Sequence, residues 1–387
     1  MDSKRINIKI KEYGMVIALI VIFLIFFILS GGKNATPMNI NNLVMQNGYI
    51  VVLAVGMLLC VLTGNVDLGV GSTVAVTGAV SALLILDYDL PIPIAILAAI
   101  LVGLAVGIFE GAFISLLGIP PFIVTLATML IGRGLTYVAL QAQTKGPLPN
   151  SYNAIGAGYL PTITIQIGGF AFDLICFLVA LAATVLLILS EYKSYKRKLK
   201  YGFAVNPLWQ TGIKLAVFIG IIWFFMYRLA VYRGIPIVLV IMAALIGIYH
   251  FITSKMVSGR QIYALGGNEK AARLSGINTK KVYFWVYTNM GLLCGVAGII
   301  LSARNGSATP KAGDGFEMDA IAACYIGGAA TAGGIGTIIG AVVGALVMGI
   351  LNNGMSLIGW STDIQKVVKG LVLLGAVTFD LVSKRKK

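Results

Sequence analysis

Apolar stretches of about 20 residues recur from one end of this chain to the other, each long enough to cross a bilayer as a helix. No other feature narrows the possible folds as much. Backbone amides that meet no water must be satisfied inside the segment, which makes such stretches helices. Composition agrees: 58% of residues are hydrophobic and 11% are charged, against roughly 25% charged in soluble domains. The sequence therefore predicts an all-α polytopic membrane protein with 10–12 transmembrane helices.

The formal charge of +15 would suggest nucleic acid in a soluble chain, but here the basic residues are gathered between apolar segments. They are Lys4, Arg5, Lys9 and Lys11; Lys193, Lys196, Arg197, Lys198 and Lys200; Lys255, Arg260, Lys270, Arg273, Lys280 and Lys281; and Lys384 to Lys387. Such clusters orient membrane helices and meet anionic headgroups, so no nucleic-acid partner is expected. Placing them in the cytoplasm gives crossings near 15–30, 43–62, 66–86, 92–117, 122–140, 172–190, 212–228, 234–252, 282–302, 317–331, 334–351 and 364–381, with both ends inside. The first follows a basic start, yet no A-x-A pattern follows it, and it reads as an uncleaved helix. Residues 1–14 and 382–387 are then cytoplasmic ends, 141–171 an external loop, 191–211 a basic cytoplasmic loop and 253–281 a cytoplasmic connection, all within one domain spanning 1–387. The glycine-rich run 327–336 leaves 317–351 open to a re-entrant arrangement.

An internal echo aligns 103-GLAVGIFEGAFISLLGIPPF-122 with 344-GALVMGILNNGMSLIGWSTD-363, matching Gly103 to Gly344, Leu116 to Leu357 and Gly118 to Gly359. The two copies run in opposite directions through the predicted topology, as in transporters built from inverted halves. The 47 glycines suit helices whose backbones approach closely in lipid.

Chemistry is sparse. No phosphate-cradling G-x-x-x-x-G-K-[ST] motif, nucleophile elbow or zinc motif occurs. His250 is the sole histidine, and the four cysteines lie far apart in apolar runs, where they read as small buried hydrophobes. No metal site is expected. Charges at membrane depth are the usual pointers to function. Asp67 follows a break beside Asn65, and Glu110 and Arg133 fall on successive segments as a possible intramembrane pair. Lys366, Lys369 and Asp380 read as snorkelling near the ends of the last segment. Asp314, Glu317 and Asp319 precede a predicted helix, where acids are favoured electrostatically.

The most soluble-looking stretch is 266-GGNEKAARLSG-276. Asn268 can cap a short helix, Glu269 and Arg273 sit one turn apart, and Gly276 can end it. About two turns are too few to stand alone in water. Ala271, Leu274 and Ile277 make a small apolar stripe flanked by Glu269, Lys270 and Arg273, suited to a groove on another protein.

Five collinear motifs then carry a resemblance: 64-GNVDLGVGS-72, 121-PFIVTLATMLIGRGL-135, 259-GRQIYALGGNEKAARLSGIN-278, 318-MDAIAACYIGG-328 and 351-LNNGMSLIG-359. Together they resemble permease subunits of monosaccharide ABC importers of the ribose, galactose and xylose type, over roughly 36–141 and 234–381. The segment pair around 191–200 looks like the extra one of xylose-type and multiple-monosaccharide members. The resemblance implies a non-catalytic subunit of the bacterial inner membrane, working as a homodimer in the lipid bilayer. It implies a fold similar to the vitamin B12 importer permease, a cytoplasmic ABC ATPase with two fused nucleotide-binding halves, and an extracytoplasmic sugar-binding protein. ATP and Mg belong to the ATPase, and this chain binds no cofactor itself. The family's ATPase-coupling segment maps onto Gly266, Gly267, Asn268, Glu269, Ala271, Ala272, Arg273, Leu274 and Gly276. Asn65, Asp67, Phe122, Thr125, Asn352 and Asn353 are candidate translocation-pathway residues. Two departures stand out: a doubled Pro120-Pro121, and Glu110 where an uncharged residue is common. The alternatives are a branched-chain amino-acid ABC permease and an ion-coupled sugar carrier acting alone.

Overall fold

The computed structural model describes residues 2–167, 170–203 and 208–385. The last two lysines of the predicted tail, 386–387, lie outside the described residues, as do 204–207 of the predicted basic loop. The side chains of the first basic cluster and of Asp380 also lie outside them.

The elements run in chain order as α1 (Asp2–Leu29), α2 (Pro37–Leu62), α3 (Val70–Leu86), α4 (Ile92–Ser115), α5 (Pro121–Ala139) and α6 (Asn150–Ala157). A hairpin of β1 (Thr164–Ile167) and β2 (Phe170–Asp173) follows, then α7 (Leu174–Lys200), α8 (Leu208–Tyr232) and α9 (Ile237–Lys255). The remainder is α10 (Val257–Gly267), α11 (Glu269–Leu274), α12 (Thr279–Asn305), α13 (Phe316–Ile326), α14 (Ile338–Leu357) and α15 (Thr362–Arg385). Among the described residues, eight helices are long and apolar enough to cross a membrane: α2, α4, α5, α7, α8, α9, α12 and α14. Two shorter apolar stretches, Ile17–Leu29 and Val70–Leu86, join them. These fall on ten of the predicted crossings, and the chain is a polytopic helical membrane protein.

Three expectations are corrected. The crossing expected over 317–331 is not a full one, because α13 has 11 residues and reaches only about 17 Å. The glycine-rich 327–337 then runs without helix until Thr337 caps α14, its hydroxyl accepting from Gly340 N at 3.0 Å. The basic run 193–200 is not a loop but the last turns of α7, where arginine and lysine favour helix and complement the negative end of its dipole. The loop 141–171 carries its own order, with α6 and the first strand of the hairpin.

Helix packing divides the chain into two compact units, a division that hydropathy, read as one domain, does not reveal. The first comprises Met1–Asn34, Leu43–Gly158 and Val238–Lys387; the second comprises Ala35–Asn42 and Tyr159–Ile237. In the second, Asp173 caps α7 by accepting from Ile175 N at 3.2 Å. There α7 and α8 pair through Phe177 edge-on to Trp223, Trp223 Nε1 donating to Thr184 at 3.2 Å, and a Lys214–Glu191 ion pair of 2.9 Å.

The first unit is built on a seam between α4 and α12. Gly103, Gly107 and Gly111 recur every fourth residue, which places them on one face of α4. Against them lie Gly291 and Gly295 of α12: a Cβ on Gly291 would sit 2.3 Å from the Gly103 oxygen and 2.6 Å from the Gly107 nitrogen. A Cβ on Gly107 would meet the Tyr287 oxygen at 2.5 Å. Backbones in such contact gain dispersion where lipid offers no hydrophobic drive. Buried α3 lies beside this seam, with Thr77 donating to the Cys294 carbonyl of α12 at 3.3 Å and Ser72 to the Met129 carbonyl of α5 at 2.7 Å. The cysteines Cys60, Cys176, Cys294 and Cys324 are free and buried, as their apolar settings predict. At the start of α5, Pro120 precedes the helix and Pro121 opens it, where no N–H is needed.

Candidate functional site

At one end of the first unit two helix interruptions meet. The first, residues 63–69, separates α2 from α3; the second, 327–337, separates α13 from α14. They are joined by a backbone hydrogen bond from Gly334 N to the Leu62 carbonyl, 2.9 Å long. The end of α10 lies against both. A Cβ on Gly266 would fall 1.6 Å from the Leu62 oxygen and 2.6 Å from the Gly334 nitrogen, so only glycine fits. One turn earlier, the Tyr263 hydroxyl donates to the Gly336 carbonyl at 2.7 Å. Burial pushes that phenol above its ordinary pKa, which keeps it a proton donor.

The next element, α11, has the ends that the sequence predicts. Asn268 Oδ1 accepts from Ala271 N at 3.0 Å, and Gly276, at φ +84°, closes the helix as Ile277 N donates back to the Ala272 carbonyl at 3.1 Å. Ala272 is buried beneath it, whereas Leu274 is 90% exposed. On its inner side Glu269 accepts from the Tyr283 hydroxyl of α12 at 3.2 Å, and Asn65 of the first interruption donates to the Thr63 carbonyl at 3.1 Å. Between this segment and the α4–α5 turn opens a cavity of about 550 Å³, lined among others by Asn65, Pro120, Glu269, Arg273, Asn278 and Tyr283.

The charges at membrane depth sort themselves differently from expectation. Glu110 and Arg133 do not pair. Glu110 lies about 8 Å along α4 from its C-terminal end, whereas Arg133 lies about 18 Å into α5 from the shared turn, so their heights differ. Arg133 donates instead to the carbonyls of Pro310 (2.9 Å) and Ala312 (2.6 Å). Glu110 is buried beside Asp67, its Oε1 without a hydrogen-bond partner, while the Thr128 hydroxyl donates to the Val124 carbonyl at 3.1 Å. Asp67 is buried too, and its Oδ1 accepts from Gly69 N at 2.8 Å, shaping the entrance to α3. A Cβ on Gly69 would stand 2.8 Å from Glu110 Oε1 and 3.2 Å from the Thr125 carbonyl oxygen, so the structure gathers Asp67, Glu110 and Thr125 around the first interruption.

Asn352 and Asn353 belong to a second polar cluster. Asn352 Nδ2 donates to Asp319 Oδ2 at 3.3 Å, and Lys369 of α15 pairs with the same oxygen at 2.9 Å. Asn353 Nδ2 donates to Gln46 at 3.3 Å. Lys366 pairs with Asp314 at 2.8 Å and holds that carboxyl below the ordinary carboxylate range. The lysines read as snorkelling are thus partners of the acids that precede or open α13. Phe122 points outward, 58% exposed on α5. Among the described residues no group of histidine, cysteine or acidic side chains is arranged to hold a metal ion.

A family model described as the permease component of branched-chain amino acid transport systems matches residues 39–194 and 201–377. The chain belongs to this permease family. Its relatives include the xylose transport system permease protein XylH of Haemophilus influenzae, 37% identical over 98% of this chain and 98% of that protein. XylH of Escherichia coli is 35% identical over 98% of this chain and 94% of its own length. The ribose import permease protein RbsC of Escherichia coli is 35% identical over 96% of this chain and 94% of its own length. No solved structure matches the permease.

Sequence reasoning missed Tyr263, Tyr283, Asp319 with Lys369, and the Asp67–Glu110 contact of the permease. The only local signal was the polarity of two tyrosines flanking the 266–276 stretch. The acid partners lie 43 and 50 residues apart along the chain, beyond any helical periodicity.

Proposed function

We propose that this permease is the non-catalytic membrane subunit of a monosaccharide ABC importer, drawing its work from a separate ATPase. The observation that carries this reading is α11: a capped helix of six residues, seated on Ala272 and presenting Leu274 to solvent at 90% exposure. A leucine so exposed, one turn after Lys270 and next to Arg273, suits a groove on another protein. The family description names branched-chain amino acids, but relatives matching nearly the whole chain are named for xylose and ribose, which favours a sugar. In this reading the 253–281 segment and both chain ends face the cytoplasm, and ATP with Mg acts on the partner, whose two halves engage two copies of the permease. A sugar-binding protein delivers substrate on the other side, and rocking of the two copies opens the path alternately.

The inverted repeat belongs to the same reading. Its aligned glycines occupy like settings: Gly103 and Gly344 both touch the backbone of a neighbouring helix, and Gly118 and Gly359, at φ +71° and +78°, both follow a helix end. Asn65, Asp67 and Thr125 at one interruption, and Asn352 and Asn353 in the other cluster, remain the proposed polar contacts of the path.

The test is capture of the ATPase by Leu274→Asp. A buried leucine contributes about 1.5–3 kcal/mol, so affinity drops roughly tenfold or more, with membrane insertion and melting temperature unchanged. Undiminished capture and uptake by this variant refute docking through α11. Sugar accumulation in vesicles holding this chain alone, driven by an ion gradient, would instead establish a self-sufficient carrier.

A further inference from the structure

We infer that α10, through Tyr263 and the Gly266 contact, is the element that drives the gate, moving both helix interruptions as one body when α11 is displaced. This rests on the ATP-coupled reading above and specifies how the work reaches the path. The geometry leaves little slack. Gly266 meets the Leu62 carbonyl and the Gly334 amide backbone to backbone, and a Cβ on Gly334 would in turn lie 2.8 Å from the Gly267 nitrogen. A Cβ on Gly333 would lie 2.8 Å from the Gly64 nitrogen. Three peptide segments, 62–64, 266–267 and 333–334, are thus stacked with no side chain between them to rotate and absorb a shift, as close-packed interiors transmit rather than damp strain.

The second interruption is also held by a tyrosine. Tyr263 ties α10 to the Gly336 carbonyl, beyond the tight turn that Ala330 N closes onto the Ile335 carbonyl at 2.8 Å. The first interruption is held by backbone alone, at the Gly266–Leu62 and Gly333–Gly64 contacts. Displacing α11 therefore pulls both interruptions through α10, the first at the Gly266–Leu62 contact and the second also through Tyr263. Tyr263 is a positioning residue: its removal should loosen the glycine-rich segment at Gly336 while leaving the ATPase docking surface intact.

The experiment uses the full chain with its co-purifying ATPase and binding protein in liposomes, with radiolabelled D-xylose and D-ribose as probes. Tyr263→Phe keeps the ring and removes only the hydroxyl. Complex yield, melting temperature and ATP hydrolysis should stay near those of the unaltered assembly, while sugar carried per ATP falls roughly fivefold or more, the scale of a typical coupling energy. An unchanged ratio of sugar to ATP overturns the inference. So does a ratio that falls only together with complex yield and melting temperature, the mark of a merely structural tyrosine. Uptake by the unaltered chain without ATPase would overturn the importer reading itself, a different outcome from normal coupling in Tyr263→Phe.

Discussion

Gly266→Ala abolishes coupled transport, and Gly267→Ala beside it does not. The added methyl at 266 would stand 1.6 Å from a carbonyl oxygen and 2.6 Å from an amide nitrogen, both backbone atoms of other segments, so relief requires that α10 withdraw from the two interruptions. Overpacking of ordinary cores costs about 1–3 kcal/mol when side chains can yield; here none can. At Gly267 the same methyl meets nothing within 4 Å. Uptake per reconstituted complex should drop by about two orders of magnitude for the first variant, taking roughly 3 kcal/mol of lost contact as the measure. The second variant should stay within about twofold, its helix propensity rising slightly. Equal behaviour of the two would mean that α10 does not bear on the interruptions as described.

The second large effect is expected at the α4–α12 seam. Gly291→Leu cannot be accommodated, because the first carbon of the side chain already collides with the Gly103 oxygen and the Gly107 nitrogen. The two helices must separate, and with them α3, which is held to α12 through Thr77. The loss is about 3 kcal/mol or more, comparable to the harshest core substitutions. In detergent the variant should elute as aggregate, or unfold well below the unaltered chain. Gly134→Leu is the control, since a Cβ there meets nothing within 4 Å and the site faces outward on α5. A seam variant as stable as that control would contradict the packing.

What could be read in the sequence was whatever depends on length or on neighbours in the chain. Helices α2, α4 and α12 were visible because burial in lipid selects long apolar runs whatever packs beside them. The ends of α11 were visible because Asn268 and Gly276 act within one turn of themselves. The height of Glu110 relative to Arg133 was not visible, since it depends on where α4 ends and α5 begins, and a few residues of offset shift a side chain by a turn. For the same reason Lys366 and Lys369 read as snorkelling side chains until α15 was placed against α13 and the acids before and within it. The shortness of α13 was obscured because 327-GGAATAGGIG-336 is apolar by composition, yet its glycines at 328, 333, 334 and 336 adopt positive φ, where helix cannot continue.

The bare seam between α4 and α12 carries one more implication. Two rods whose main chains already touch have no cushion over which to slide, and every third or fourth position would strike its opposite number on the way. The pair therefore travels as a single plank, and an opening motion has fewer independent parts than a tally of helices suggests. A lever with so few joints delivers nearly all of its stroke to the far end.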